Sequence, residues 1–351
     1  MKTELRNFTL KELEKELSKI ELPAFRARQV FKWLWQKGSR GFEDMTDISK
    51  PLREKLAQRF RISDLKIKNR TGSAKEGAVK HLFELEDGFS VESVWLKDRD
   101  RRTVCVSTQV GCSLGCFICR TGQMGLVRNL EPSEIAGQVL EVQRGQTERI
   151  TNVVFMGMGE PFLNYEATLT AARILNEDFG LSIGARKITI STAGIVPGIK
   201  RFAKEPEQFK LAVSLNAADQ ETRERIMPIA AKYPLNELIP EVRRFVELKG
   251  KRVTFEYVLV SGVNDRKKDA ENLEMLLAGI PCKINLIPLN PFPGCALRSP
   301  SPAHVEEFMR WIMPNLPAVT LRKSLGSAIL AGCGQLAAPQ KNAPHSVGDP
   351  D

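Results

Sequence analysis

Three cysteines lie close together in one short stretch of the chain, STQVGCSLGCFICRTGQMG. They are Cys112, Cys116 and Cys119, separated by three and then by two residues. Crowded thiolates are ligands for zinc and for iron–sulfur clusters. The chain has seven cysteines among 351 residues, and this odd number is not typical of a secreted disulfide framework. The spacing therefore predicts a thiolate-bound metal centre.

Two kinds of metal centre compete for these thiols. Structural zinc needs a fourth ligand, but Cys105 would lie roughly 20 Å away along an extended strand. The histidines are distant in the sequence, at His81, His304 and His345. A catalytic zinc ion with an open position, or plain packing of buried thiols, are further interpretations. A 4Fe–4S cluster held by three thiolates leaves one iron open for an amine and a carboxylate, such as those of S-adenosylmethionine. The spacing favours this cluster and leaves zinc as an alternative.

The elements that would position these cysteines alternate between strand and helix from about residue 100 onward. Six apolar, β-branched runs are each followed by a stretch with helical spacing, at 103–109, 150–160, 187–194, 209–217, 252–264 and 282–292. Such runs predict an α/β fold with a parallel sheet, either open or curled into a partial barrel. Ligands of these sheets gather at the carboxyl ends of the strands. Glu160, Ser191, Ser214 and Asn290 lie at or just beyond those predicted ends.

The first part of the chain has a different character. Residues 1–60 are predicted to be helical and residues 64–97 to form strands, with a hairpin around Asp87 and Gly88. The net charge is +10, and residues 1–70 hold 18 Lys and Arg against 10 Asp and Glu. This basic block, with Trp33 and Trp35 interleaved, suits a folded RNA, although a solvated helix face and core tryptophans are also consistent with it.

Targeting signals are not evident in the sequence. The chain has no run of about 18 apolar residues that would predict a membrane span. Its first residues, MKTELRNFTLKELEKELSK, lack the apolar centre of a signal peptide. We therefore predict a cytoplasmic protein without membrane contact. The segment after Leu336 is rich in proline and polar residues, which predicts disorder.

Several ordered motifs resemble one enzyme family. The cysteine loop after the first strand is similar to that of the radical S-adenosylmethionine superfamily. The wider motifs resemble the narrower RlmN/Cfr family of adenine-methylating RNA enzymes. They span about residues 8–337 and are, in order, LPAFRARQVFKWLW, CVSTQVGCSLGCFICRTGQMGLVRNL, MGMGEPFLN, STAG, AVSLNA, LIPLNPFPG and CGQL.

This resemblance implies a fold and a reaction. The fold would be a radical S-adenosylmethionine partial (β/α)6 barrel at 96–336, preceded by a small helical plus β-hairpin RNA-binding domain at 1–95 and followed by a disordered tail at 337–351. The reaction would be methylation of carbon 2 of adenosine in large-subunit (23S) ribosomal RNA and, beside the anticodon, in transfer RNA. The resemblance also implies an external one-electron reductant, flavodoxin-like or ferredoxin-like, and a monomer.

The resemblance further implies roles for individual residues. Cys112, Cys116 and Cys119 would hold the 4Fe–4S cluster. Cys333 would carry the methyl group as S-methylcysteine, and a second S-adenosylmethionine would supply the radical that activates it. Cys105 would be the resolving thiol that forms a transient disulfide with Cys333, and Glu92 would be the proton acceptor. The residues that would contact S-adenosylmethionine are Gly159, Glu160, Ser191, Ser214, Leu215, Asn216 and Asn290.

Some features depart from the family pattern or leave alternatives. Asn216 stands where some members carry histidine, and both side chains can form hydrogen bonds. Leu325 and Ala328 stand where many members have arginine and aspartate, which puts substrate preference in doubt. Cys282 and Cys295 match no family role and are interpreted as packing residues. The alternatives are methylation at carbon 8 of adenosine, which confers antibiotic resistance, and a non-catalytic zinc RNA-binding module.

Overall fold

One large sheet organises the part of the chain that the structure, a computed structural model, describes: residues 2–316, 318–322 and 325–339. Within these residues the sheet has ten strands, which in spatial order are β14 (Val319–Leu321), β13 (Cys282–Pro288), β12 (Val253–Leu259), β11 (Lys210–Ser214), β10 (Ile188–Thr192), β9 (Asn152–Phe155), β6 (Arg101–Cys105), β5 (Ser90–Asp98), β4 (Ala78–Glu84) and β3 (Lys66–Ser73). Strands β6 and β9 to β14 are parallel to one another, whereas β3 to β6 pair in antiparallel fashion. The sheet therefore joins a barrel-like half to a meander.

The parallel half confirms the predicted α/β architecture. Its six predicted strands are β6 (Arg101–Cys105), β9 (Asn152–Phe155), β10 (Ile188–Thr192), β11 (Lys210–Ser214), β12 (Val253–Leu259) and β13 (Cys282–Pro288). A further short strand, β14 (Val319–Leu321), continues the sheet and was not predicted. The helices that cover it are α5 (Pro132–Arg144), α6 (Tyr165–Asn176), α7 (Val196–Phe202), α8 (Gln220–Ile226), α9 (Leu235–Lys249), α10 (Lys267–Leu277) and α11 (Pro302–Ile312). At least one of these helices lies between each two consecutive parallel strands, as a parallel sheet requires.

The antiparallel half contains the predicted hairpin. Its strands are β3 (Lys66–Ser73), β4 (Ala78–Glu84) and β5 (Ser90–Asp98), and β4 and β5 are joined through Asp87 and Gly88. Gly88 has a φ of +85°, which favours glycine at this turn. Because β5 pairs with β6, the hairpin extends the barrel's sheet directly. The predicted domain boundary between residues 95 and 96 falls inside β5 and stays a prediction.

The N-terminal segment is helical, as its apolar spacing predicts. It consists of β1 (Thr3–Glu4), α1 (Leu10–Ser18), α2 (Ala24–Trp35), α3 (Lys50–Arg59) and β2 (Phe60–Arg61). Helix α1 begins with a capping box between Thr9 and Glu12. Trp35 is fully buried, whereas Trp33 is half-buried and donates a hydrogen bond to Asp47. One of the two tryptophans is therefore a core residue.

A small two-stranded sheet, separate from the large one, carries the cysteine loop. It pairs β7 (Gln109–Cys112) with β8 (Gly125–Asn129), and the short helix α4 (Arg120–Gln123) lies between them. The last residues that the structure describes pack near this loop. Ala338 is buried, and the predicted disordered tail lies outside the described residues from position 340 onward. Among the residues described, none of the helices is long and apolar enough to cross a membrane.

Candidate active site

A cavity of about 170 Å³ lies at the carboxyl ends of the parallel strands. Most of the residues predicted from the sequence line it. These are the three loop cysteines, two residues that follow β9, two strand-end serines, an asparagine and a C-terminal cysteine: Cys112, Cys116, Cys119, Gly159, Glu160, Ser191, Ser214, Asn216 and Cys333. Glu92, Cys105, Leu215 and Asn290 are not among the residues that line it.

The cysteine loop is folded tightly at one wall of the cavity. Gly111 has a φ of +77°, and a Cβ atom there would lie 1.9 Å from the carbonyl oxygen of Gly125. Any larger residue at position 111 would therefore break the pairing of β7 with β8. Cys112 and Cys116 are buried and Cys119 is half-buried. Their burial raises the pKa of all three thiols, to about 12 for Cys112, and the negative charge of a neighbouring thiolate adds to this for Cys116.

The loop fits a cluster better than a single metal ion. Within the described ranges, no three Cys, His, Asp or Glu side chains are placed to ligate one metal ion, as zinc would require. In a 4Fe–4S cluster each thiolate binds a different iron, so the three sulfur atoms need not converge on one point. The iron charge would also keep the buried thiols deprotonated in spite of their raised pKa. Cys112, Cys116 and Cys119 are therefore the residues that would hold such a cluster.

Glu160 is held rigidly beside this loop. Its side chain accepts hydrogen bonds from the backbone N–H groups of Phe162 at 3.0 Å and Ala193 at 2.7 Å. Its own N–H donates to Gln109 Oε1 at 2.8 Å. Burial raises the pKa of Glu160 to about 7, and the backbone donors offset part of this rise. The carboxylate can therefore be ionised near neutral pH and offers a counter-charge to a ligand ammonium group.

The other predicted strand-end residues differ in whether their side chains are available to a ligand in the cavity. Ser191 is buried, Ser214 is half-buried, and both line the cavity. Asn216 also lines it, in the left-handed region at φ +59°, but its side chain bonds within the protein, to Val258 N at 2.9 Å and Met227 Sδ at 3.0 Å. Leu215 is fully buried, so only its backbone is placed to meet a ligand. Asn290 is buried, and its amide donates to the carbonyl oxygen of Cys333 at 3.2 Å.

The segment that carries Cys333 is anchored on two sides of the cavity. The carbonyl oxygen of Gly334 accepts a hydrogen bond from Arg120 N in the cysteine loop at 2.7 Å. Gln335 donates to Pro291 O, beyond β13, at 2.6 Å. Cys333 is exposed and lines the cavity, yet the surrounding protein still raises its pKa through desolvation. These contacts hold the Cys333 thiol over the strand ends.

Cys105 lies at the end of β6, close to Cys333. Desolvation and, to a smaller extent, a negative charge on Cys333 together raise the pKa of Cys105 to about 12. The Arg322 guanidinium has the opposite effect and lowers the pKa of both thiols. The two cysteines are thus near enough for their charges to interact, although they are more than 220 positions apart in the printed sequence.

Glu92 contacts the same segment from β5. Its side chain is buried and pairs with Lys80 Nζ at 2.9 Å. Its second oxygen accepts a hydrogen bond from the Ala337 backbone N–H at 2.9 Å. Lys80 also donates to Leu330 O at 3.3 Å. The meander therefore supports the Cys333 segment through one buried carboxylate and one lysine.

Sequence reasoning missed three residues around the cavity. Glu256 lines it from the middle of β12, and Arg322 Nη1 lies 3.9 Å from the Glu256 carboxylate. Arg223 of α8 is fully buried and donates to Leu215 O at 3.1 Å and Ala193 O at 2.7 Å, which ties the ends of β10 and β11 together. The signal for Glu256 was present, since it is the one charged residue within the apolar run VTFEYVLV.

Comparison with known proteins identifies the family of this chain. Residues 3–62 match the ribosomal RNA large subunit methyltransferase N-terminal domain, and residues 106–273 match the radical SAM superfamily. A probable dual-specificity RNA methyltransferase RlmN of Pelotomaculum thermopropionicum is 47% identical over 333 residues, which is 95% of this chain and 90% of that protein. A dual-specificity RNA methyltransferase RlmN of Anaeromyxobacter dehalogenans is 45% identical over 95% of this chain and 92% of its own length.

The chain belongs to the RlmN family. A crystal structure of a radical SAM methyltransferase from Sphaerobacter thermophilus matches it with a TM-score of 0.90 and 45% identity, over 96% of this chain and all of that one. The predictions of a radical SAM methyltransferase fold and of an enzyme are thereby confirmed. Membership of the RlmN family implies a 4Fe–4S cluster and S-adenosylmethionine as cofactors, and the cavity described above is where the family motifs meet.

Proposed function

We propose that this protein methylates carbon 2 of adenosine in large-subunit ribosomal RNA and in transfer RNA. The observation that carries the proposal is the placement of Cys333 in one cavity with Cys112, Cys116 and Cys119. An ordinary SN2 transfer needs a nucleophilic carbon, which the electron-poor carbon 2 of adenine is not. A thiol that first takes the methyl group removes that demand.

The first half of the reaction is the charging of Cys333. The sulfur attacks the methyl carbon of one S-adenosylmethionine and an S–CH3 bond forms as the thiol proton is released. The bond between that carbon and the sulfonium breaks, its electron pair stays on the sulfonium sulfur, and S-adenosylhomocysteine leaves. Cys112, Cys116 and Cys119 would hold a 4Fe–4S cluster, which when bound would supply the electron for cleavage of a second S-adenosylmethionine to a radical able to remove a hydrogen atom from this methyl group. Glu160 binds the ligand ammonium, and Ser191 and Ser214 are proposed to contact its nucleoside.

The second half releases the product through two further residues. The methylene carbon on Cys333, which carries the unpaired electron, bonds to carbon 2 and tethers the RNA to the protein. Once the carbon 2 proton has left, one surplus electron remains on the ring, and it would pass to the oxidised form of the external one-electron carrier so that the ring regains its aromaticity. Glu92 is proposed to accept the proton that leaves carbon 2, and its bond to Ala337 N supports a place beside the tether. The Cys105 thiolate then attacks Cys333 sulfur, an S–S bond forms, and the C–S bond breaks. Its electron pair goes to the methylene carbon, which takes a proton and becomes methyl.

Nucleoside mass spectrometry tests the proposal directly. The cluster-loaded protein is incubated with S-adenosylmethionine, a one-electron reductant such as a flavodoxin or ferredoxin, and unmodified ribosomal or transfer RNA. We expect 2-methyladenosine in the digested RNA. Exclusive 8-methyladenosine would move the chain to the carbon-8 reaction, and unmodified RNA with a colourless, zinc-bound protein would support the non-catalytic alternative.

The pKa of Glu160 predicts a pH dependence for S-adenosylmethionine binding. A neutral carboxyl group binds an ammonium group poorly, so the affinity should fall as the pH drops through about 7, the raised pKa of Glu160. The expected fall is up to about tenfold per pH unit below that value. Titration of the non-reduced protein with S-adenosylmethionine measures it. Glu160→Gln should bind more weakly at high pH and lose this pH dependence, whereas an unchanged pH profile would remove Glu160 from the ammonium site.

The basic N-terminal segment is the proposed RNA-binding surface. Lys11 and Lys32 are exposed on α1 and α2. Replacing both by alanine should weaken RNA binding and flatten its salt dependence, by roughly 0.7 to 0.9 in the log–log slope for each lost phosphate contact. Lys267 and Lys268 are exposed on α10 and provide the matched control. Equal effects of the two pairs on filter-binding curves would show non-specific charge attraction and contradict the assignment.

A further inference from the structure

A row of polar side chains crosses the interior of the barrel beneath the cavity. Ser214, Glu256 and Asn285 are register partners on the adjacent parallel strands β11, β12 and β13, and Thr320 of β14 continues the row. Residues in register on neighbouring strands project from the same face of a sheet. Ser214 and Glu256 both line the cavity, so this end of the row faces the space that a ligand would occupy.

Glu256 is held in a fixed orientation within this row. Only 6% of the residue is exposed, and its Oε1 atom accepts a hydrogen bond from Asn285 Nδ2 at 2.8 Å. Arg322 Nη1 lies 3.9 Å from the same oxygen. A buried carboxylate that is fixed by two neighbours cannot turn its second oxygen toward water without breaking these contacts.

Two buried acceptor atoms in the row have no protein partner. They are Glu256 Oε2 and Asn285 Oδ1, and neither meets a hydrogen-bond donor in the part of the chain that the structure describes. Buried polar atoms in folded proteins are nearly always paired. Glu256 lines the cavity and Asn285 is not among its lining residues, so the unpartnered Glu256 Oε2 atom calls for a donor from a ligand.

We propose that Glu256, oriented by Asn285 and Arg322, accepts at its Oε2 atom a hydrogen bond from a donor of an adenosine moiety in this cavity. The inference rests on the proposed function, which brings two adenosines to the site: one in S-adenosylmethionine and one in the RNA. Both carry an exocyclic amine with two N–H donors, and the ribose of S-adenosylmethionine carries a vicinal diol as well. A carboxylate is complementary to either group and repels the carbonyl oxygen that guanine has in place of the amine.

A binding cycle between protein variants and ligand analogues tests this subsite. Glu256→Met keeps the size of the side chain and removes both acceptors. Dissociation constants are measured for the cluster-loaded, non-reduced protein in two arms. One arm uses S-adenosylmethionine and its analogues without the amine or without a ribose hydroxyl, and the other uses substrate RNA with adenosine or purine riboside at the target position. Thermal unfolding checks that each variant folds, and Glu241→Met, a buried carboxylate on α9, is the control.

In the arm whose ligand occupies this subsite, we expect the affinity of the wild-type protein to fall roughly tenfold to hundredfold when the donor that meets Glu256 is removed from the ligand. Glu256→Met should bind the parent ligand and the analogue equally, because the bond is already lost. The arm in which this occurs identifies the source of the adenosine. The proposal would be overturned if wild type and Glu256→Met bound both parent ligands with equal affinity. It would also be overturned if the two proteins lost the same affinity for every analogue.

Two further outcomes remain informative. If Glu256→Met does not fold, Glu256→Gln takes its place, and retention of the full wild-type discrimination by that variant overturns the role of the carboxylate. The proposed reaction is scored separately, from 2-methyladenosine formed by the wild-type protein. A wild-type protein that makes this product but shows no coupling between Glu256 and any donor would contradict the subsite and leave the reaction intact.

Discussion

Replacement of Cys105 by alanine is expected to leave the protein covalently attached to its RNA. Without the second thiol, nothing attacks Cys333 sulfur, so the bond between the methylene carbon and Cys333 persists after the carbon has joined adenine. Multiple turnover should fall by roughly a thousandfold or more, in the range measured when an essential group of covalent catalysis is lost. A denaturing gel with labelled RNA should show a band that runs above the free protein and disappears on ribonuclease treatment.

Two control variants make this result specific. Cys295 is half-buried like Cys105 but lies in the loop after β13, where its thiol contacts Leu297 O at 3.7 Å. Cys295→Ala should therefore turn over normally and form no adduct. The double variant Cys105→Ala, Cys333→Ala should form no adduct either, because the tether needs Cys333 sulfur. An active Cys105→Ala protein that releases methylated RNA would contradict the resolving role.

Replacement of Cys116 by alanine is expected to abolish cluster binding and, with it, RNA methylation. Two remaining thiolates leave two irons without a protein ligand, and the affinity of an iron–sulfur cluster depends on its thiolates. The purified variant should be colourless, with iron and sulfide contents near zero after anaerobic reconstitution. Iron analysis and visible absorption spectroscopy measure both quantities independently of activity.

Cys282 provides the matched control for this prediction. It is a fully buried cysteine within β13 and takes no part in the proposed chemistry. Cys282→Ala removes one sulfur atom from the core, so we expect a loss of about 1 kcal/mol in the free energy of unfolding and a full complement of iron. If Cys116→Ala retained as much iron as Cys282→Ala, the cluster would not be bound by this loop.

The sequence allowed much of the fold to be predicted, because buried parallel strands are continuous apolar runs. All six runs contain strands of one sheet. Their carboxyl ends then had to meet, which explains why Glu160, Ser191 and Ser214 line one cavity. The three loop cysteines could also be recognised from the sequence, because their distinctive spacing lies entirely within one short segment.

Long-range placement could not be obtained from the sequence alone. Nothing local to Glu92 indicates that it pairs with Lys80 and meets the backbone of Ala337. The proximity of Cys105 to Cys333 also depends on how the end of the chain crosses the cavity, and only the family resemblance suggested it. Short strand β14 was missed because three residues carry too little periodicity to stand out. The catalytic roles of these residues stay predictions.

The fate of a deuterated methyl group tests most directly whether the methyl group passes through Cys333 as a methylene unit. The protein is supplied with S-adenosylmethionine that carries three deuterium atoms on its methyl carbon, and the 2-methyladenosine is analysed by mass spectrometry. We expect a product with two deuterium atoms, because one is removed by the radical and replaced by a solvent proton. A product that retains all three would show direct transfer of an intact methyl group and would rule out a methylene unit on Cys333.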